Sequence, residues 1–256
     1  MTTTYKSIAL RGVAAGAIAG VASALVQLLV TEIPIRAALA VEEARAPAGE
    51  EAGHSHGGEE ELVSRGAQVV GGMLGVVIVG IAVGLVFATA YALSKRWFTD
   101  RTPFSRSFAF GAAVFGAVAL LPWIKYPANP PAVGDPATVN HRTALYLGVV
   151  VAGLLIVWGA SWLAAQLHAQ SQPVRTTAVL LAVVAAAAVV LLAFPAPPDT
   201  VPADMPVNVL WQFRLSSLAQ LATLYVGIGV VFGLLIDPAA RRAKAPAKAS
   251  RESTVA

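Results

Sequence analysis

The chain has no cysteine among its 256 residues, and only 12% of them are charged. The first absence excludes disulfides and thiolate metal sites. The second excludes an ordinary soluble globular domain, in which about 25% of residues carry charge. Two catalytic signatures are missing as well: there is no G-x-x-x-x-G-K-[ST] phosphate loop and no H-E-x-x-H. ATP hydrolysis and zincin chemistry thus have no basis. The chain reads as a non-enzyme without a tightly bound cofactor. Formal net charge is +4, but the basic residues sit between apolar runs rather than in an aromatic-laced patch. Nucleic acid is therefore not the expected partner, and the lipid bilayer is.

What is abundant is apolar: 57% of the residues are hydrophobic. A charge at the bilayer centre costs roughly 2.5–3.5 kcal/mol, so long uncharged runs mark membrane spans. Such runs separate Arg11 from Glu32, Arg65 from Lys95, Arg106 from Lys125, Arg142 from Arg175, Arg175 from Asp199, and Arg214 from Asp237. They hold 20, 29, 18, 32, 23 and 22 residues respectively. About 20 residues of helix cover the ~30 Å hydrocarbon core, so each run holds one helix. The expectation is an all-α integral membrane protein, a bundle of about six transmembrane helices near 9–30, 67–94, 107–124, 143–166, 176–194 and 209–236. A long acidic outer loop, 31–66, joins the first two. Residues 1–236 form the polytopic membrane domain, and 237–256 a basic disordered cytoplasmic tail. A cleavable leader is disfavoured, because the first apolar run is too long and Ala38-Leu39-Ala40 lies well past its end.

Lysine and arginine set the orientation. With the N-terminus inside, 12 basic residues fall on the inner side and 6 on the outer. The positive-inside rule then places both termini in the cytoplasm of a multi-pass protein of the cell membrane. Glycines recur at four-residue spacing: Gly12, Gly16 and Gly20; Gly71 and Gly75; Gly80 and Gly84; Gly229 and Gly233. Such ridges let helix backbones approach closely in lipid, and packing is the expected use.

The chemistry gathers on the outer side. The first outer loop holds eight glutamates against three arginines, and within it runs Gly53-His54-Ser55-His56-Gly57-Gly58-Glu59-Glu60-Glu61. In an extended segment His54 and His56 point the same way and both rings face one ion. Imidazole with the oxygens of Glu59, Glu60 and Glu61 suits Co²⁺, Ni²⁺, Zn²⁺ or Fe²⁺, and ligand type alone does not choose among them. The alternative is an acidic loop whose histidines hold nothing. A second outer segment, Leu121 to Pro136, is broken by prolines and followed by Asn140-His141-Arg142. Asp135 and His141 are its ligand types, with His141 at the mouth of the fourth helix as a ligand or a helix-end hydrogen-bonder. The third, Phe194 to Pro206, carries Asp199 and Asp204. His168 falls on the inner side and reads as interfacial. Arg214, within the opening of the sixth helix, must snorkel outward or pair, with Asp199 and Asp204 as candidates.

Together these segments resemble CbtA, a family of cobalt transporter subunits. The likeness rests on the acidic His-bearing loop, the glycine-rich second helix, the Lys125-Tyr126-Pro127-Ala128-Asn129-Pro130-Pro131 block and the Trp211-Gln212-Phe213-Arg214-Leu215-Ser216-Ser217-Leu218 opening. It implies a cobalt-uptake permease subunit linked to cobalamin synthesis, within a class of divalent transition-metal cations in which the ligand types also leave Ni²⁺ open. It also implies a small single-span, His-bearing partner, CbtB-like, supplied as a separate chain. The family is described with one span fewer than the charge-free runs give, which singles out the short third run. A different class, a metal-sensing or assembly protein that binds ions outside without moving them, stays open on the residues alone.

Overall fold

The computed structural model describes residues 5–45, 64–94 and 102–237. The first span is one rod made of α1 (Tyr5–Val26), a π-helical turn (Gln27–Thr31) and α2 (Glu32–Arg45). There follow α3 (Arg65–Ser94), α4 (Pro103–Phe115), a second π-turn (Gly116–Leu120), α5 (Leu121–Lys125), α6 (Val139–Gln166), α7 (Gln172–Ala193) and α8 (Val207–Ile236). No strand occurs among the described residues. Six helical stretches are long and apolar enough to cross a membrane, including the short third one, Pro103–Lys125.

Helix limits follow local chemistry. Thr102 caps α4 by accepting the Ser105 amide at 3.2 Å, with Pro103 at the first helical position. Asp135 does the same for a short 3₁₀ turn, Pro136–Thr138, accepting the Ala137 amide at 2.8 Å. Prolines also stop helices: α7 ends before Phe194-Pro195, whose first residue is extended.

Packing is uneven. α1 lies along α3 and α8, and α4 along α8. Buried Ile8, Phe87, Tyr91, Phe110, Ile228 and Phe232 form the centre of this core. Its rings meet edge-on or tilted, with Phe87 centred 5.0 Å from Phe110 and Tyr91 5.2 Å from Phe232. The glycine ridges bring the helices this close. A Cβ on Gly111 would stand 2.9 Å from Gly229 Cα, and buried Ser107 donates to the Gly229 carbonyl at 2.6 Å. The peripheral helices attach differently. α6 rests on the second π-turn, where Gly153 faces Ala117 and the Tyr146 hydroxyl donates to the Val118 carbonyl at 3.1 Å. α7 buries none of its residues, and Leu180, Leu181, Val184, Val189 and Leu192 stand exposed along it. That surface suits hydrocarbon, where backbone groups satisfied within the helix leave only apolar side chains outside.

One boundary differs from expectation. The first helix does not give way to a loop at residue 31 but continues to Arg45. The reason is burial of α2 against other connections: Ala38 is fully buried among Val133, Met205, Val209 and Leu210. Glu32, expected in the loop, is buried in this helix.

Candidate functional site

The connections on the face where α2, α5 and α7 end are pinned by the proline block after α5. Lys125 Nζ donates to the Leu191 carbonyl at 2.8 Å in the last turn of α7, where carbonyls lack helical partners. The Tyr126 hydroxyl donates to the Pro195 carbonyl at 2.9 Å, and burial raises its pKa above the usual phenol value. Trp123 Nε1 donates to the Arg214 carbonyl at 2.9 Å. The Arg214 guanidinium donates to Asn129 Oδ1 at 3.1 Å and lies 5.4 Å over the Trp211 ring. Arg214 therefore pairs with neither Asp199 nor Asp204, because those carboxylates are committed elsewhere.

Asp199 is the hub of this face, its side chain only 3% exposed. It accepts from Thr138 Oγ1 at 2.6 Å and from the Asp135 amide at 3.4 Å, and pairs with Arg142 at 2.8 Å. Burial opposes its charge, yet these three donors outweigh burial and hold the carboxyl below its ordinary pKa. Gly134 allows the approach. Its φ is +117°, and a Cβ there would meet the Arg142 guanidinium. A second clasp joins Asp204 to Arg45 at 2.6 and 2.9 Å, and Arg45 also donates to the Ala132 carbonyl at 2.7 Å. The fork of hydrogen bonds from Arg45 lowers the Asp204 pKa. Ala132 holds φ of +66°, a left-handed value uncommon for a residue with a side chain. Between the proline block and α6 lies an open cavity of about 330 Å³, lined in part by Tyr126, Asn129, Arg142, Thr143, Tyr146 and Asp199.

The predicted ligands fall into two groups. His54, His56, Glu59, Glu60 and Glu61 lie outside the described residues. Asp135 and His141 are both exposed on this face, Asp135 as the cap of the 3₁₀ turn and His141 in the first turn of α6. No group of three or more His, Asp or Glu able to hold a metal occurs among the described residues. His168 is also exposed, its Nδ1 3.0 Å from the Ala165 carbonyl at the end of α6.

A feature missed by the sequence reading runs down the seam between the first and sixth spans. Ser23 Oγ donates to the Gln220 carbonyl at 3.0 Å, and Gln220 Nε2 donates to Gln27 Oε1 at 3.2 Å. One turn further, at the end of the π-turn, Thr31 is 4% exposed and its Oγ1 has no partner. Ser216, one turn before Gln220, is buried too. Above them Glu32 Oε1 accepts from both Arg36 Nε at 3.0 Å and Arg65 at 2.8 Å. The signal was legible: Gln27 and Gln220 are carboxamides standing inside long uncharged runs.

No curated protein and no solved structure shows significant similarity to the chain. One family does: the sequence profile described as "Probable cobalt transporter subunit (CbtA)" matches residues 5–237. The chain accordingly belongs to the CbtA family of probable cobalt transporter subunits.

Proposed function

We propose that this chain is the membrane-spanning permease subunit that takes up divalent transition-metal cations, Co²⁺ first among them, and captures them on the face described above. The family match over nearly the whole chain carries the reading. Energetics agree. Inward movement of a divalent cation gains about 4.6 kcal/mol per 100 mV of inside-negative potential, so uptake needs no nucleotide hydrolysis by this chain. In this reading His54 and His56 supply imidazole, while Glu59, Glu60, Glu61 and Asp135 supply oxygen, and His141 stands at the mouth of the path. Two observations favour capture there. The chain enters residues 46–63 from Arg45, tied to Asp204, and leaves them beside Arg65, tied to Glu32. Both ends of the His-bearing segment are thus held at the same face as Asp135 and His141.

Radioactive Co²⁺ uptake by cells expressing the chain, with and without a small His-bearing partner, tests the assignment. His54→Ala with His56→Ala should lower uptake several-fold at limiting metal and hardly at saturating metal, because capture is damaged and translocation is not. His141→Ala should lower both. Metal binding without flux in any arrangement would instead assign a sensing or assembly role.

Both termini are cytoplasmic in this reading, on the 12-to-6 division of basic residues. Reporter fusions at the two ends should both give the cytoplasmic signal, and opposite signals would refute an even number of crossings.

A further inference from the structure

We propose that the polar seam between the first and sixth spans is the loop-side half of the cation's route, with Glu32 as the carboxylate that passes a divalent ion into it. The inference rests on the transport reading and gives that reading a path. Glu32 is the only charged residue buried as a whole among the described residues. Two guanidiniums share its Oε1, and their side chains are 68% and 37% exposed, for Arg36 and Arg65. Each is a tethered monovalent cation with water beside it. A divalent ion attracts the same carboxylate twice as strongly at equal distance and dielectric, so arrival of the ion releases the arginines to solvent.

Below Glu32 the oxygens descend by helical turns. Thr31 Oγ1 is buried and unpartnered, Gln27 Oε1 faces Gln220, and Ser23 Oγ lies one turn deeper. The contacts of Ala19 with Gly227 and of Gln27 with Gln220 show that α1 and α8 run antiparallel, which sets Ser216 level with Thr31. The π-turn supports the same role. Its i→i+5 pattern departs from the α-helical ladder where a path needs backbone oxygen, and such turns recur at functional positions. Neutral oxygen donors hold an ion loosely, as conduction requires. Deeper still the seam shuts. Gly16 closes on Gly80, with Leu224 against Gly80, and the rings of Phe87, Tyr91, Phe110 and Phe232 follow. The route is therefore polar from the loop face to Ser23 and sealed beneath it.

A simple hydrogen-bonded staple between two helices makes a different prediction, since it needs neither water nor metal. The natural absence of cysteine gives a silent background for distinguishing them. Single variants Thr31→Cys and Ser216→Cys, with lipid-exposed Leu29→Cys and Leu215→Cys as references, are placed in lipid nanodiscs and treated with a charged methanethiosulfonate. The seam positions should react at least tenfold faster than the references, and Co²⁺ should slow them several-fold. Adding Glu32→Gln should abolish that protection while labelling persists. Reaction no faster than at the references, or rates indifferent to Co²⁺, would overturn the proposal.

Uptake by the full chain in its native host, with its partners present, gives an independent arm. Glu32→Gln should lower Co²⁺ uptake at least tenfold, and Glu32→Asp should restore part of it. Unchanged uptake in Glu32→Gln sinks the path while leaving transport intact. Failure of the unmodified chain to take up Co²⁺ sinks the transport reading, and labelling with Co²⁺ protection then decides the seam alone.

Discussion

Gly16→Leu should deplete the membrane of folded protein, whereas Gly71→Leu should leave its level unchanged. A Cβ on Gly16 overlaps the Gly80 carbonyl oxygen and stands 2.9 Å from the Gly80 carbonyl carbon and 3.0 Å from Ile81 Cα. The obstacle is helix backbone, which cannot rotate aside as a side chain can. Overpacking costs about 1–3 kcal/mol where side chains yield, and a backbone obstacle puts this site at or above the upper end. Helices in lipid have no hydrophobic effect to hold them once close packing is lost. Gly71 belongs to the same kind of sequence ridge, yet a Cβ there meets nothing within 4 Å. Size-exclusion profiles of detergent-extracted protein, after stepwise heating, separate the two. Equal profiles for both variants would refute the α1–α3 interface.

Asp199→Asn should loosen the loop face and do so in a pH-dependent way. The substitution keeps an acceptor for Thr138 but removes the charge that Arg142 answers. Hydrogen bonds to charged groups contribute about 1.5–3 kcal/mol, so the loss is on the order of 2 kcal/mol. The folded-state pKa of Asp199 is depressed. Its stabilisation is therefore fully present above the unfolded carboxyl pKa of about 3.9, and fades as pH falls toward the lower folded value. The difference in thermal midpoint between wild type and Asp199→Asn should stay constant from about pH 8 to 5 and shrink below about pH 4. A difference that grew on acidification would mean that Asp199 is held protonated in the fold.

The spans were legible because the bilayer imposes one simple rule, and Arg11, Arg65, Arg106 and Arg142 each stop short of an apolar run. The end of the first span was not legible. Glu32, Arg36, Glu42, Glu43 and Arg45 look like loop, but Ala38 and Pro34 pack inward and carry the helix past them. Charge density reports solvent on one side of a helix and says nothing of the other. The glycines were legible as a class and not as individuals: Gly16 and Gly71 have similar sequence surroundings, and only the partner backbone tells them apart. At the site, Asp199 and Asp204 stood in the sequence as candidate partners of Arg214. Their arginines, Arg142 and Arg45, arrive from distant segments, the second of them 159 residues before its partner, and no local pattern announces such pairs.

The contrast between α1 and α7 has a consequence for how this sequence is free to drift. Along α1 the inward positions are fixed in size by another helix's backbone, so Gly12 and Gly16 tolerate nothing larger than themselves. Along α7, with no buried residue, most positions answer only to hydrocarbon. Leucine, valine and alanine are nearly interchangeable there, and the helix carries almost no information beyond its length and apolarity. Two helices of equal length, α1 and α7 with 22 residues each, thus hold very different shares of the message that specifies this protein.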